Sequence, residues 1–198
     1  MKTLIDRREA LRKTAMLMGA AVSASTMAAF LQGCKTTPEL NYKPVFFNQD
    51  QALLVSEAAE IILPKTDTPG AKEVGVPNFI DSLLKDCYKE EDQKKFLDGL
   101  NEFDQNAIKA FGNRFIEGSP EERHDYLKKV HDEAVKTVKS DPAGPRPFIL
   151  KLKELTMLGY FVSEPGATQV LQYVAVPGAY KGCIPLKEAG NGRTWATS

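Results

Sequence analysis

One apolar pattern constrains the fold of this sequence more than any other feature. Between Asp92 and Gly118, apolar side chains recur at steps of three or four residues, at Phe96, Leu100, Phe103, Ala107, Phe111 and Phe115. Such steps place side chains on one face of an α-helix, because a helical turn takes 3.6 residues. The pattern therefore predicts a long amphipathic helix that buries this face and stops at Gly118.

Start signals predict further helices on both sides of the long one. Asn48 with Gln51 and Ser119 with Glu122 have the spacing of capping boxes, and Pro77 suits the first turn of a short helix. Apolar faces follow these signals at Leu54, Ala58, Ile61 and Ile62, at Phe79, Ile80, Leu83 and Leu84, and at Leu127, Val130, Ala134 and Val138.

The last third of the chain divides into a buried helix and an irregular tail. Residues 148–162 are apolar on most sides, which predicts the central, most buried helix, and Ser163 and Glu164 begin one more short helical piece. Residues 174–198 have no helical period and are expected to form an extended surface arm. Because no alternation of the strand type is sustained, we predict an all-α, irregular single-domain bundle with this C-terminal arm.

The first 34 residues have the chemistry of an export signal. Arg7 and Arg8 precede an almost uncharged run, residues 14–33, that is rich in Ala, Met, Val and Leu. A basic start and an apolar centre are typical of a secretory leader, and paired arginines indicate the twin-arginine route. The alternative is a transmembrane helix, which the serines, Thr26 and many alanines disfavour. We therefore expect the protein on the periplasmic side of the cell envelope.

The end of the leader resembles a lipobox. Leu31-Gln32-Gly33-Cys34 has the pattern at which bacterial leaders are cleaved after the cysteine is acylated. A lipid on Cys34 would anchor the protein to a membrane. The alternative is cleavage near Ala28 or Ala29, which leaves Cys34 unmodified. In the lipidated case residues 35–45 form a tether and residues 46–198 the helical domain.

Two cysteines remain in the predicted domain, Cys87 and Cys183. An even number of cysteines in an oxidising compartment favours a disulfide between them. The alternative is two separate buried thiols, since a sequence cannot show proximity.

The search for catalytic and binding motifs is mostly negative. The 26 basic and 26 acidic residues balance, so nothing indicates nucleic-acid binding. The sequence has no dinucleotide fingerprint, phosphate loop or nucleophile motif. His124 and His131 are seven residues apart, about two helical turns, which is too far for one metal ion without other ligands. We predict no catalytic, cofactor or metal site on this chain.

Conformationally special residues are concentrated instead in two loop regions. The first runs from Pro64-Lys65-Thr66-Asp67-Thr68-Pro69-Gly70-Ala71 to Gly75-Val76-Pro77 and Phe79-Ile80-Asp81. The second runs from Tyr160-Phe161-Val162-Ser163-Glu164-Pro165-Gly166 to Tyr173, Pro177-Gly178-Ala179-Tyr180 and Gly182-Cys183. These stretches resemble the gluconate 2-dehydrogenase subunit 3 family, the small subunits of membrane-associated flavin dehydrogenases. The resemblance covers residues 46–185 and is weak in the helices between the loops.

The resemblance implies a division of labour between subunits. A large flavoprotein of the glucose-methanol-choline type holds FAD and oxidises a sugar or sugar acid, and a cytochrome c subunit can accept the electrons. The small subunit binds no cofactor, helps the flavoprotein to mature and supplies the export signal for both. The lipobox departs from the plainest members of the family, which puts a cytochrome anchor in question.

The C-terminal arm is the expected contact with that partner. Tyr173, Pro177 and Tyr180 lie where no helical period would bury them within this chain, and aromatic side chains anchor many subunit interfaces. The alternative is that the arm folds back over its own bundle. A different function also stays open, that of a free-standing periplasmic lipoprotein acting as a binding module.

Overall fold

A computed structural model describes residues 40–176, 178, 182–188 and 192–196. Arg7, Arg8, Cys34, Pro177 and Tyr180 lie outside these described residues. The α-helices are α1 Gln49–Ile62, α2 Val76–Cys87, α3 Glu90–Phe111, α4 Pro120–Ser140 and α5 Phe148–Val162. A 3₁₀ turn, Phe115–Glu117, joins α3 to α4, and a π-helical turn, Gly166–Val170, follows α5. In the part of the chain described, strand pairing is limited to one isolated bridge, so the prediction of an all-α fold is confirmed.

The predicted helix starts are confirmed by their hydrogen bonds. The Asn48 side chain accepts from the Gln51 amide at 2.9 Å, and the Gln51 side chain accepts from the Asn48 amide at 3.1 Å. Ser119 and Glu122 make the same reciprocal pair at the start of α4. These bonds satisfy amides that the first helical turn cannot pair internally.

The predicted stop of the long helix is wrong by six residues. Helix α3 ends at Phe111, where Gly112 takes a left-handed φ of 84°, and Gly118 has an ordinary extended backbone. The carboxylate of Asp104 then accepts from the Phe115 amide and from Arg114 Nε, both at 2.9 Å. These bonds turn the chain back, so Phe115 stays on the apolar face and is fully buried although the helix has ended.

Helix α5 occupies the centre of the bundle. It packs against each of α1, α2, α3 and α4. Leu152 and Thr156 are fully buried, and Leu155 is 3% exposed. Burial decreases toward the end of α5, where several apolar side chains face outward.

A segment before α1 is bound to the domain surface. We call residues 40–47 the strap. The carboxylate of Asp81, fully buried in α2, accepts from the backbone amides of Val45 at 2.6 Å, Phe46 at 3.1 Å and Phe47 at 2.8 Å. Leu40 and Tyr42 pack against the hydrophobic core. The part of the predicted tether that the structure describes, residues 40–45, is therefore held against the domain.

The last described residues of the arm bond to Gln172, just before the arm begins. The Gln172 amide donates to the Thr194 carbonyl at 2.8 Å, and the Ala196 amide donates to the Gln172 carbonyl at 2.7 Å. Gln172 and Trp195 thereby form the isolated parallel bridge. None of the helices within the described residues is long and apolar enough to cross a membrane.

Candidate functional site

The two loop regions singled out by sequence lie together at one end of the bundle. The first loop, residues 63–75, joins α1 to α2, and the second loop, residues 163–170, follows α5. The hydroxyl of Tyr160, near the end of α5, donates to the carbonyl of Pro69 at 2.8 Å and so holds the first loop against the helix end from which the second loop begins. A cleft of about 390 Å³ lies between them, lined by residues 65–69, 73 and 74 on one side and by Pro165 and Gln169 on the other.

The first loop is held in shape by α1. The Glu60 carboxylate accepts from the backbone amides of Lys65 at 3.3 Å and Lys72 at 2.8 Å. The Ala71 amide donates to the Leu63 carbonyl at 2.9 Å. A Cβ on Gly70 would overlap the Glu60 carboxylate, so a larger residue there would displace the acceptor that orders the loop. The loop is thus preorganised without any partner.

A buried ionic cluster ties this loop to α4. Glu57 is 8% exposed and pairs with Lys72 of the first loop and with Arg123 Nη1 at 2.6 Å. Burial of a carboxylate is unfavourable unless opposite charges and hydrogen bonds compensate it. Removing either Lys72 or Arg123 would leave the buried negative charge of Glu57 with one partner instead of two. The cluster therefore couples α1, the first loop and the start of α4.

Hydrogen bonds and close backbone packing at Ser163 and Gly166 hold the second loop against the end of α5, and α5 itself lies close to α2. Ser163 Oγ donates to the Tyr160 carbonyl at 2.6 Å and accepts from the Gly166 amide at 3.1 Å. A Cβ on Gly166 would overlap that same carbonyl. A Cβ on residue 159 would lie only 2.6 Å from Cδ1 of Phe79. The close contact between α5 and α2 therefore requires glycine at this position.

Apolar side chains face outward next to the second loop. Met157, Leu158 and Val162 of α5 are 41%, 47% and 59% exposed, and we call them the apolar strip. Leu158 and Val162 are four residues apart and therefore neighbours on the helix surface. Further along the chain, Tyr173 and Val176 are also exposed. Clustered exposed apolar side chains commonly mark an interaction surface.

Several of the described residues have pKa values that the fold displaces from the usual range. Burial, reinforced by Asp104, raises the pKa of Tyr126 to about 12, and burial beside Asp81 raises the pKa of Tyr42 above its usual range. Hydrogen bonds from Arg114 to Asp50 and Asp104 raise the pKa of that guanidinium. Each of these shifts moves the pKa away from neutral pH, whereas a general acid or base works best with a pKa near it.

Metal ligands are not gathered in the part of the chain that is described. No group of three or more His, Cys, Asp or Glu side chains there is placed to hold an ion. His124 and His131 each approach the following aspartate at 3.3 Å, and His131 Nε2 also lies 3.1 Å from Lys153 Nζ. The two histidines thus interact with separate neighbours.

The structure describes three of the predicted site residues, Cys87, Cys183 and Tyr173. Cys87, the last residue of α2, and Cys183, in the arm, are free and exposed, so the structure contains neither the predicted disulfide nor the alternative of buried thiols. Cys87 is exposed because it lies at the solvent end of its helix. Tyr173 is 59% exposed, and its role at an interface stays a prediction.

Sequence reasoning missed the apolar strip. Residues 148–162 are apolar on nearly every side, and that pattern predicts burial of the whole helix. The available signal was the end of the helix: Val162 is its last residue, where fewer neighbouring elements remain to cover it. An apolar helix end beside an irregular arm is a feature that favours a partner surface.

Comparison with known proteins identifies the family of this chain. The family model described as gluconate 2-dehydrogenase subunit 3 matches residues 49–178, from the start of α1 into the arm. No curated protein and no solved structure matches the chain. The match spans more than half of the sequence and includes both loops. This chain therefore belongs to the gluconate 2-dehydrogenase subunit 3 family.

Proposed function

We propose that this protein is a non-catalytic small subunit of a membrane-associated flavoprotein dehydrogenase that oxidises a sugar or sugar acid. The observation that carries the proposal is the family match over residues 49–178, because that family is a dehydrogenase subunit. The partner of the glucose-methanol-choline type holds the FAD and performs the oxidation. In a complex that includes a cytochrome c subunit, that subunit accepts the electrons.

The proposed role of the small subunit is maturation, export and anchoring. Arg7 and Arg8 address the folded pair to the twin-arginine route, and Cys34 carries a lipid that holds the complex at the periplasmic side of a membrane. Export of folded cargo suits a flavoprotein, because the flavin is inserted in the cytoplasm before transport.

The proposed contact with the flavoprotein combines the apolar strip with the arm. Obligate subunit interfaces are large and apolar, and their energy is concentrated in a few buried anchors. Met157, Leu158 and Val162 supply exposed aliphatic surface, and Tyr173, Pro177 and Tyr180 supply aromatic and proline contacts. Exposure of Tyr173 supports this arrangement.

Two double variants test the interface in cells that also express the flavoprotein. Leu158→Glu with Val162→Glu places charges in the strip, and Tyr173→Ala with Tyr180→Ala removes the arm anchors. The matched control is Ile108→Glu, which charges an exposed apolar position on α3. Co-purification, flavin content of the partner and dehydrogenase activity are measured, with circular dichroism to verify folding.

Both double variants are expected to stay helical and to lose at least tenfold in co-purification, while the control retains it. Activity falls with the flavin content of the partner, because this subunit supplies no reacting group. A folded strip variant that still binds with full activity would show that the interface lies elsewhere. A wild-type chain that is stable and monodisperse alone, with no flavoprotein bound, would favour the free-standing lipoprotein.

A further inference from the structure

The strap limits how far this domain can move from an anchor at Cys34. The amides of Val45, Phe46 and Phe47 are fixed to the buried carboxylate of Asp81, and Leu40 packs against the core. The chain from Cys34 to Leu40 contains six Cα–Cα steps, which span at most about 20 Å even when fully extended. We call this stretch, residues 34–40, the leash.

The leash is short compared with the domain. Helix α3 has 22 residues and is therefore about 33 Å long. A domain of that size cannot turn freely above a surface to which it is joined by a shorter connection. We propose that the leash holds the side of the domain that carries the strap against the membrane. The subunit then has one fixed membrane-proximal side. The inference rests on the lipid anchor proposed at Cys34.

The chemistry of the strap suits a bilayer surface. Lys43 and Val45 are exposed, and Val45 is 52% accessible. A lysine near anionic headgroups gains electrostatic energy, and an apolar side chain is accommodated at the interface. The pinning bonds come from backbone amides, so these side chains stay free to face the lipid while the strap remains bound.

Helix α4 provides a site for comparison. It packs against α3 and α5, and Lys136 is exposed on its surface. In the described part of the chain no hydrogen bond or ion pair joins α4 to the strap, so a label on α4 serves as the comparison for a label on the strap. Lys43→Cys and Lys136→Cys make a matched pair of labelling variants, each replacing an exposed lysine. Both are built with Cys87→Ser and Cys183→Ser, since those native thiols are exposed.

The test measures fluorescence quenching at the two sites. The lipidated mature chain, purified from membranes, is labelled and placed in vesicles of phosphatidylethanolamine and phosphatidylglycerol that contain headgroup spin-labelled lipid. Quenching is expected to be at least threefold stronger at position 43 than at position 136. Inserting twenty Gly and Ser residues between Thr37 and Pro38 lengthens the leash and should reduce that ratio toward one.

The outcomes separate the orientation from the anchor. Equal quenching at the two positions in a protein that carries the lipid would overturn the fixed orientation and leave the anchor intact. An unchanged ratio after the insertion would show that the leash does not set the orientation. Mass spectrometry that finds no lipid on Cys34 would overturn the anchor, and the orientation with it.

Discussion

Asp81 shows what a single residue contributes in this molecule. Its carboxylate is fully buried and is compensated by three successive amides of the strap. The partners are separated from it by 34 to 36 positions in the sequence. No local pattern reveals such a pairing, which is why the residues before Phe46 were expected to be a free tether.

Replacing Asp81 with Ala should destabilise the mature protein by about 3 kcal/mol, because buried donors left without an acceptor are costly. Urea unfolding followed by circular dichroism measures the change. Asp86→Ala, at an exposed position of the same helix, is the control and should change the free energy of unfolding by less than about 0.5 kcal/mol. Equal effects of the two variants would contradict the role assigned to Asp81.

Tyr126 gives a prediction about alkaline pH. Its hydroxyl donates to the Phe103 carbonyl at 2.8 Å, and burial raises its pKa to about 12. A raised pKa means that the folded state holds the proton more tightly than the unfolded chain, whose tyrosine titrates near 10. The corresponding stability is present below pH ~10 and is lost as the pH rises toward 12.

Unfolding curves between pH 9 and 12 would check this titration. Tyr126→Phe should be less stable than wild type at pH 9 because the hydrogen bond is lost, and its stability should fall less steeply above pH 10. Parallel curves for the two proteins would show that another group controls the alkaline transition.

At the scale of helices, the sequence predicts starts better than stops. A capping box is encoded within four residues, so Asn48 and Ser119 were identifiable from the sequence alone. The end of α3 depends on Asp104 receiving the Phe115 amide after the chain has turned, and the apolar spacing continues through that break. The periodicity therefore predicted a helix as far as Gly118, whereas α3 ends at Phe111 and is capped by Gly112.

The residues of the candidate site could be recognised from the sequence, but the contacts that bring them together could not. The special residues of both loops could be recognised from the sequence, and the fit to the family followed from them. The bond from Tyr160 to Pro69 joins residues 91 positions apart, and the exposure of Leu158 and Val162 depends on which helices cover α5. Both facts depend on tertiary structure. So does the finding that Cys87 and Cys183 are free thiols, although an even number of cysteines had favoured a disulfide.

The contact between α5 and α2 can be tested by a double-mutant cycle. Alanine at residue 159 should favour the helix intrinsically by up to about 1 kcal/mol. We nevertheless expect Gly159→Ala to destabilise the protein by about 1–3 kcal/mol, because its Cβ would collide with the Phe79 ring. Chemical unfolding of Gly159→Ala, Phe79→Leu and the double variant measures the coupling. Equal costs in both backgrounds would mean that Phe79 does not set the helix spacing.

At the scale of the whole molecule, the described residues form one folded unit in which the first and second loops lie together and the strap is bound to the surface. The proposed leader and anchor precede that unit in the chain. The hydrogen bonds of Glu60 and Ser163 order both loops without a partner, so the second loop, which lies next to the apolar strip, is already formed in the isolated subunit.

Export of the proposed pair is tested by the leader. Arg7→Lys with Arg8→Lys should leave both this protein and the flavoprotein in the cytoplasm, with periplasmic activity reduced at least tenfold. Arg12→Lys, which leaves the arginine pair intact, is the control. Cell fractionation with antibodies against each protein gives the result. A flavoprotein that still reaches the periplasm would exclude shared export.

The central position of α5 also determines when the core can close. Because α5 packs against all four earlier helices, the parts of their apolar faces that contact α5 stay uncovered until residue 162 has been synthesised. At about 5–20 residues per second, translation reaches that point roughly 8–30 seconds after it begins. The proposed leader is made within the first few of those seconds. Because α5 follows the other four helices in the chain, the proposed signal peptide would be synthesised several seconds before the domain that it would export could finish folding.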